Sequence, residues 1–163
     1  MDQYYDTIAP GYEELYREEQ LKKLEVISNN ISISGGDKLL DVGCGTGLVQ
    51  EFFEKKFGIE TFGVDPSEQL LKRNPYQCAI SSAEDMSFDD EEYDIVVALT
   101  VVQNFDDIEN GLKNIKRVGK KRFILTYLKK SPKAEMMESK IDEIFGKNKK
   151  VEEDKDMIHI VGF

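Results

Sequence analysis

Residues 39–47 read LLDVGCGTG and carry the strongest structural signal in this chain. An apolar run of the kind found in buried strands leads directly into glycines at three alternate positions, 43, 45 and 47. Glycine lets the backbone turn sharply and lets a ligand lie against bare peptide, and the helix predicted next presents free N–H groups at its start. The stretch therefore predicts a strand, a ligand-binding turn and a helix in succession.

Strand and helix patterns alternate on both sides of this turn. Helical patterns occur at 12–27, 48–57, 66–73, 107–118 and 131–145, and strand patterns at 38–42, 59–64, 76–80, 93–100 and 121–128. Residues 149–163 predict two more strands around a polar turn. This order predicts an α/β fold with a Rossmann-like, doubly wound, mostly parallel seven-stranded sheet and an antiparallel C-terminal hairpin. Ligands of such sheets bind at the carboxyl ends of the strands.

A carboxylate ends the second predicted strand. Asp65 lies 24 residues after Asp41 and can accept hydrogen bonds from both hydroxyls of a ribose, whereas it would repel a 2′-phosphate. The alternative is that Asp65 or Ser67 caps the next helix. A nicotinamide-dependent oxidoreductase is a further alternative, but its fingerprint needs a third glycine where Leu48 stands.

The composition is that of an ordinary globular protein, with 163 residues, 40% hydrophobic and 33% charged. The longest uncharged apolar run, 95–102, is far shorter than the roughly 20 residues of a membrane span. The first residues do not read as a secretory leader. The two cysteines, Cys44 and Cys78, give no disulfide framework and indicate a reducing compartment, so we expect a cytoplasmic protein without membrane association.

The single histidine, His159, alternates with Ile158 and Ile160 in the last predicted strand. This pattern predicts a solvent-facing or edge position for the imidazole. One histidine and two separated cysteines also predict no metal site.

Charge is unevenly distributed along the chain. The net charge of −10 argues against a general nucleic-acid binder, because phosphate binding needs clustered positive charge. The segment 113–150 nevertheless contains 13 Lys and Arg against 4 Asp and Glu, a net charge of +9. This basic segment is either a solvated surface or a contact for a protein partner or RNA.

Several stretches together resemble the ordered motifs of class I S-adenosylmethionine-dependent methyltransferases. They are residues 39–47, 63–65 (GVD), 81–88 (SSAEDMSF) and 93–98 (YDIVVA). The opening YDTIAPGY, residues 5–12, is similar to the N-terminal segment of the ubiquinone- and menaquinone-biosynthesis branch. The resemblance implies transfer of a methyl group from S-adenosyl-L-methionine to an acceptor.

The resemblance also implies a single methyltransferase domain, 1–163, with an N-terminal lid and helix in 1–30 and a Rossmann-like core in 37–163. The implied cofactor-binding residues are Tyr5 and Tyr12 in the lid, and Asp41, Gly43, Cys44, Gly45, Gly47, Asp65, Pro66, Ser82, Ala83, Glu84 and Thr100 in the core.

Within this set, the three glycines would pass beneath the methionine and ribose parts of the cofactor, and Asp41 would organise their loop. Asp65 would bind the ribose, and residues 82–84 would meet the adenine. Thr100 and Val101 would line the methyl-donor end.

The chain departs from the family pattern at several positions. Ser82 stands where many relatives have an Asp that reaches the adenine, and Glu84 or Asp85 could take over that role. Residues 102–104 read VQN where many relatives have Leu-His-His, and the Asn/Asp-Pro-Pro-Tyr signature of nitrogen methylation does not follow the fourth strand. No catalytic residue is assigned. The candidates for a base, by their expected position near the donor pocket, are Tyr5, Asp6 and Gln103.

Two further hypotheses stand beside the self-sufficient enzyme. The chain has no insertion that would build an acceptor-binding cap, which also fits a non-catalytic S-adenosylmethionine-binding module. The same feature, together with the basic segment, fits a catalytic subunit that needs a protein partner. The acceptor is open among small molecules, proteins and RNA.

Overall fold

The computed structural model describes residues 10–162, with side chains from residue 14 onward. The strands in chain order are β1 (Lys38–Val42), β2 (Glu60–Asp65), β3 (Cys78–Ile80), β4 (Tyr93–Ala98), β5 (Gly119–Leu128), β6 (Lys149–Glu152) and β7 (Asp156–Val161). The helices are α1 (Pro10–Ser28), α2 (Leu48–Phe57), α3 (Glu68–Leu71), α4 (Ile108–Val118) and α5 (Ala134–Phe145), and a 3₁₀ turn spans Val102–Asn104.

The strands form one seven-stranded sheet in the order β3-β2-β1-β4-β5-β7-β6. Strands β1 to β5 pair in parallel with one another, whereas β7 is antiparallel to both β5 and β6. The predicted α/β class is therefore confirmed, including the antiparallel C-terminal hairpin. No helix within residues 10–162 is long and apolar enough to cross a membrane.

Helices cover both faces of the sheet. The core under α1 and α2 includes Leu24, Ile27, Val49 and Phe53, and the core under α4 and α5 includes Leu112, Ile115, Met137 and Ile141. In β4, the side chains of Ile95 and Val97 join the first core, while those of Val96 and Ala98 join the second. This alternation explains why the strand is apolar throughout, as a parallel strand covered on both faces must be.

The helix predicted at 66–73 is shorter in the structure. Ser67 Oγ accepts a hydrogen bond from the Leu70 N–H at 3.2 Å and caps the start of α3 at Glu68. Ser67, not Asp65, is therefore the capping side chain.

The apolar residues of helix α1 indicate only part of the face that it buries. Leu15 is 54% exposed, whereas Gln20, Lys23, Leu24 and Ile27 are buried. These four positions follow the spacing of one helical face, i, i+3, i+4 and i+7. The two polar residues of this face, Gln20 and Lys23, lie within α1 and hydrogen-bond to Thr100.

The prediction for His159 is wrong. Strand β7 lies between β5 and β6, so it is not an edge strand, and the imidazole is fully buried. Its Nε2 lies 2.9 Å from the Tyr127 hydroxyl and its Nδ1 lies 2.9 Å from Asn148 Oδ1. His159 points to the face of the sheet opposite that of Ile158 and Ile160. Helix α5 covers that opposite face, so the imidazole is also inside the protein.

Candidate functional site

A cavity of about 560 Å³ lies at the carboxyl ends of β1, β2, β3 and β4. Its volume falls within the roughly 300–1,000 Å³ typical of small-molecule sites. Strand β1 is third in the sheet, with β2 and β3 on one side and β4, β5, β7 and β6 on the other, so the strand order reverses at β1. This is the switch point at which doubly wound sheets bind their ligands.

The turn after β1 is built from glycines in the left-handed region, with φ of 80° at Gly43, 50° at Gly45 and 95° at Gly47. A Cβ on Gly47 would lie 2.6 Å from Asn74 Oδ1, so packing inside the chain requires this glycine. A Cβ on Gly45, which lines the cavity, would meet only Leu70 Cδ1, at 3.9 Å. The missing side chain of Gly45 therefore leaves room on the cavity side, as a ligand lying against the peptide requires.

Asp65 connects this turn to the end of β2. One carboxylate oxygen accepts a hydrogen bond from the Gly45 N–H at 2.9 Å and the other accepts from the Ser67 N–H at 2.8 Å. The side chain also lines the cavity. A carboxylate is a hydrogen-bond acceptor, so this side chain presents the group that a ligand hydroxyl can donate to.

Asp41 and Gly47 are not among the residues that line the cavity. Asp41 is buried at the end of β1, and its Oδ2 has no hydrogen-bond partner among residues 14–162. Burial, and secondarily the charge of Asp65, raise the pKa of the Asp41 carboxyl well above its usual value. Burial, and then the charges of Asp41 and Asp65, raise the pKa of the Cys44 thiol, so its sulfur stays protonated and contributes no thiolate to the cavity wall.

Ser82, Ala83 and Glu84 line the part of the cavity beyond β3, and Asp85 does not. The Glu84 carboxylate accepts a hydrogen bond from the Asp107 N–H at 3.0 Å, and so is tied to the start of α4. It also keeps acceptor capacity, since one of its oxygens is not used by that bond.

Thr100 and Val101 line the end of the cavity next to β4. The Thr100 hydroxyl points into the protein, where it donates to Asp156 Oδ2 at 2.7 Å. Gln103 does not line the cavity; its Nε2 donates to the Thr100 carbonyl at 2.8 Å. Gln103 thus holds the turn that carries Thr100.

The model of a family described as a methyltransferase domain matches residues 40–125, which is more than half of the chain. The chain belongs to this family. The matched segment runs from β1 to β5 and includes the glycine turn, Asp65 and Thr100. The resemblance to class I S-adenosylmethionine-dependent methyltransferases is thereby confirmed, and S-adenosyl-L-methionine is the methyl donor of that family.

Named relatives of this methyltransferase-domain chain include two enzymes of quinone biosynthesis. A ubiquinone biosynthesis O-methyltransferase of Nitrobacter winogradskyi is 30% identical over 112 residues, which cover 62% of this chain and 41% of that protein. A demethylmenaquinone methyltransferase of Chlorobaculum tepidum is 36% identical over 86 residues, covering 50% of this chain and 36% of that protein. The chain thus spans less than half the length of these relatives.

Solved structures show the same fold at low sequence identity. A putative S-adenosyl-L-methionine-dependent methyltransferase of Methanococcus maripaludis superimposes with a TM-score of 0.73 at 16% identity, covering 85% of this chain and 82% of that one. A putative methyltransferase of Haloferax volcanii, solved in complex with the Trm112 methyltransferase activator, gives a TM-score of 0.75 at 15% identity, covering 94% of both chains.

Helix α1 contributes cavity residues that the sequence did not single out in this methyltransferase domain: Tyr16, Arg17 and Gln20. The Arg17 guanidinium is ion-paired with Glu51 at 2.7 Å. Tyr16 and Gln20 lie one helical turn apart, and that spacing is the only signal that could have identified them. Tyr5 and Asp6 lie outside the described residues, as does the side chain of Tyr12.

Many cations of the basic segment have acidic partners within the chain. The ion pairs are Lys113–Glu109, Arg117–Asp90, Lys121–Asp37, Lys129–Glu152, Lys140–Glu109 and Lys150–Asp142. Much of the positive charge counted in the sequence is therefore balanced locally on the surface.

Proposed function

We propose that this chain is an S-adenosyl-L-methionine-dependent methyltransferase. One observation carries the proposal: the 2.9 Å hydrogen bond from the Gly45 N–H to Asp65 holds a bare peptide and a ribose acceptor side by side in the cavity wall. The open space at the Gly45 Cβ position and the Asp65 carboxylate in the cavity wall both fit a nucleoside with free hydroxyls.

The proposed arrangement assigns one part of the cofactor to each strand end. Asp65 would hold the ribose, with Pro66 beside it, and the segment from Ser82 to Glu84 would meet the adenine. Gly43, Cys44 and Gly45 would pass beneath the methionine part, which extends toward Thr100. Asp41, which is buried outside the cavity lining, would not contact the cofactor but would organise the glycine turn.

When bound, the cofactor supplies a methyl group on a sulfonium, which is already a good electrophile. The task of the protein residues is then mainly to orient the acceptor in line with that methyl group and to exclude water. Tyr16 and Gln20 of α1 lie in the cavity wall, which supports a covering role for segment 1–30.

Titration calorimetry with S-adenosylhomocysteine tests cofactor binding. We expect one binding site per chain, with an affinity that survives moderate salt because the ligand is held by buried hydrogen bonds. An absence of binding by the folded chain would overturn the proposal. Radiolabelled S-adenosylmethionine then tests methyl transfer to molecules in a cell extract. If the chain binds the cofactor but no molecule in the extract is labelled, the chain is a non-catalytic S-adenosylmethionine-binding module.

A small molecule is the acceptor class that we favour. The two named relatives act in quinone biosynthesis by their names. The net charge of −10 argues against RNA as the acceptor, and the ion pairs of the basic segment reduce the positive charge that could bind it. Incubation with labelled cofactor and a size-fractionated extract should place the label in the low-mass fraction; label in protein or RNA would contradict this assignment.

Dependence on a protein partner is the second candidate. It is supported by the fold of the Haloferax volcanii methyltransferase, which was solved with an activator protein. Transfer of label should be compared for the purified chain alone and for the chain supplied with the protein fraction of a native extract. Activity that appears only with the protein fraction would favour the partner-dependent subunit.

A further inference from the structure

Five polar side chains from four parts of the fold form one network at the cavity wall. Gln20 and Lys23 of α1, Thr126 of β5 and Asp156 of β7 are buried, and Thr100 after β4 is half-buried. Lys23 and Asp156 form its centre, with an Nζ to Oδ1 distance of 2.9 Å and side chains that are 4% and 0% exposed. Lys23 Nζ also donates to Gln20 Oε1 at 2.7 Å and to Thr100 Oγ1 at 3.3 Å. The ammonium group therefore hydrogen-bonds to two oxygens and forms an ion pair with a third, Asp156 Oδ1, which accepts no hydrogen bond from residues 14–162.

Residues of the network hydrogen-bond to the backbone N–H and the hydroxyl of Thr100. Its N–H donates to Thr126 Oγ1 at 2.6 Å, and its hydroxyl donates to Asp156 Oδ2 at 2.7 Å. Thr126 Oγ1 donates in turn to Asp156 Oδ2 at 2.9 Å. The carbonyl of Thr100 accepts from Gln103 on the other side.

Thr100 has a φ of 56°, in the left-handed region that β-branched residues avoid. Such a conformation persists only where the surroundings impose it, and it occurs most often at functional sites. In this chain the strained residue lies in the cavity wall, and its N–H and hydroxyl donate to Thr126 and to Asp156 of the buried ion pair.

Stability alone does not explain a buried ion pair here. Removing two charges from water is costly, and apolar residues of similar volume often stabilise a fold as well or better. The Lys23–Asp156 pair, however, joins α1, which carries cavity residues Tyr16 and Gln20, to the start of β7, where Asp156 also accepts the Thr100 hydroxyl.

We propose that Lys23 and Asp156 are positioning residues of the cofactor site. Their ion pair fixes Thr100 in its left-handed conformation and docks α1 against the end of β4, and together these shape the end of the cavity that takes the amino-acid part of the cofactor. This inference rests on the proposed function, because it is S-adenosylmethionine that extends from Asp65 to Thr100.

The test separates positioning from stability with matched variants. Lys23→Met leaves Asp156 buried without a cation, so both the urea midpoint and the affinity for S-adenosylhomocysteine should fall. The double variant K23M/D156L has no unpaired charge, so its midpoint should return toward that of the wild type. Its affinity should stay about tenfold or more below wild type, because the Thr100 hydroxyl has lost its acceptor.

Two further variants complete the comparison. K23M/D156N restores an acceptor oxygen for Thr100 without a charge, and should bind S-adenosylhomocysteine more tightly than K23M/D156L. Lys22→Met removes an exposed lysine from the same helix and should change neither measurement.

The outcomes distinguish this inference from the proposed function. If affinity recovers together with stability in K23M/D156L, or never changes in any variant, the network is structural only and the inference is overturned while the proposed function stands. If the wild-type chain does not bind S-adenosylhomocysteine, the proposed function itself fails. Should K23M/D156L not fold, Thr126→Val removes the acceptor of the Thr100 N–H while keeping the side-chain shape. It should then lower the affinity severalfold, and an unchanged affinity would overturn the inference.

Discussion

A Cβ on Gly43 would lie 2.7 Å from Val101 Cγ1, so the turns that follow β1 and β4 touch only because residue 43 has no side chain. The two strands are neighbours at the centre of the sheet, and this contact brings both turns to the wall of one cavity. The glycines of the turn after β1 are therefore not equivalent. Gly43 serves packing, whereas Gly45 leaves space for a ligand.

Alanine substitutions at the two positions should separate these roles. Gly43→Ala combines a left-handed φ with a clash against Val101 and should lower the free energy of unfolding by roughly 2–4 kcal/mol. Gly45→Ala meets no close neighbour and should lower it by about 1–2 kcal/mol, the penalty of its φ alone. The added methyl group of Gly45→Ala lies on the cavity side. The variant should therefore lose more free energy of S-adenosylhomocysteine binding than free energy of unfolding. Urea unfolding and calorimetry measure the two effects, and an undiminished affinity in Gly45→Ala would contradict the ligand position.

Substitution of Asp65 tests the ribose assignment. Asp65→Ala removes a charged acceptor and should weaken S-adenosylhomocysteine binding by about 1–3 kcal/mol, while Asp65→Asn should lose less because one acceptor oxygen remains. Asp154→Ala, in the exposed turn of the C-terminal hairpin, removes the same group far from the cavity and is the matched control. Equal affinities for Asp65→Ala and this control would show that the carboxylate does not hold the ligand.

The sequence was sufficient to predict the sheet and the position of the cavity. Apolar runs of strand length alternate with helical spacing, and the glycine turn marks the switch point, so the order of elements follows from local pattern alone. Strand β4 illustrates this well, because its two faces join different cores and its sequence is apolar throughout.

Burial of polar side chains could not be predicted in the same way. The polarity of a single residue predicts exposure, which would place Gln20 and Lys23 on the surface of α1 and led to the solvent-facing or edge position predicted for His159. Each is buried through partners distant in sequence: Asp156 and Thr100 for Lys23, Tyr127 and Asn148 for His159. Only the tertiary fold brings such partners together.

Burial of the Asp41 carboxyl should lower the free energy of unfolding by an amount that depends on pH. Its pKa in the folded chain is raised, above all by burial, whereas the unfolded chain titrates near the ordinary value of 3.8. Above that pH the unfolded state releases a proton that the native state keeps, so this group lowers stability as pH rises, until its folded pKa is passed. Asp41→Asn cannot ionise and should gain stability relative to the wild type between pH 5 and pH 8. Urea unfolding of both proteins across this range measures the difference, and a gap that narrows with rising pH would contradict the prediction.

Titration of His159 should make the free energy of unfolding depend on pH in the opposite direction. Burial lowers its pKa from 6.5 to about 4, so the native state keeps the imidazole neutral while the unfolded state takes up a proton below pH 6.5. The stability that this group contributes is complete above pH 6.5 and is lost as pH falls toward 4, which amounts to about 2 kcal/mol between pH 7 and pH 5. His159→Gln keeps hydrogen-bonding capacity toward Tyr127 and Asn148 but does not titrate, so its unfolding free energy should vary less over the same interval. Parallel slopes for the two proteins between pH 7 and pH 5 would mean that the imidazole is protonated in the native state, with Nε2 donating to the Tyr127 hydroxyl instead of accepting from it.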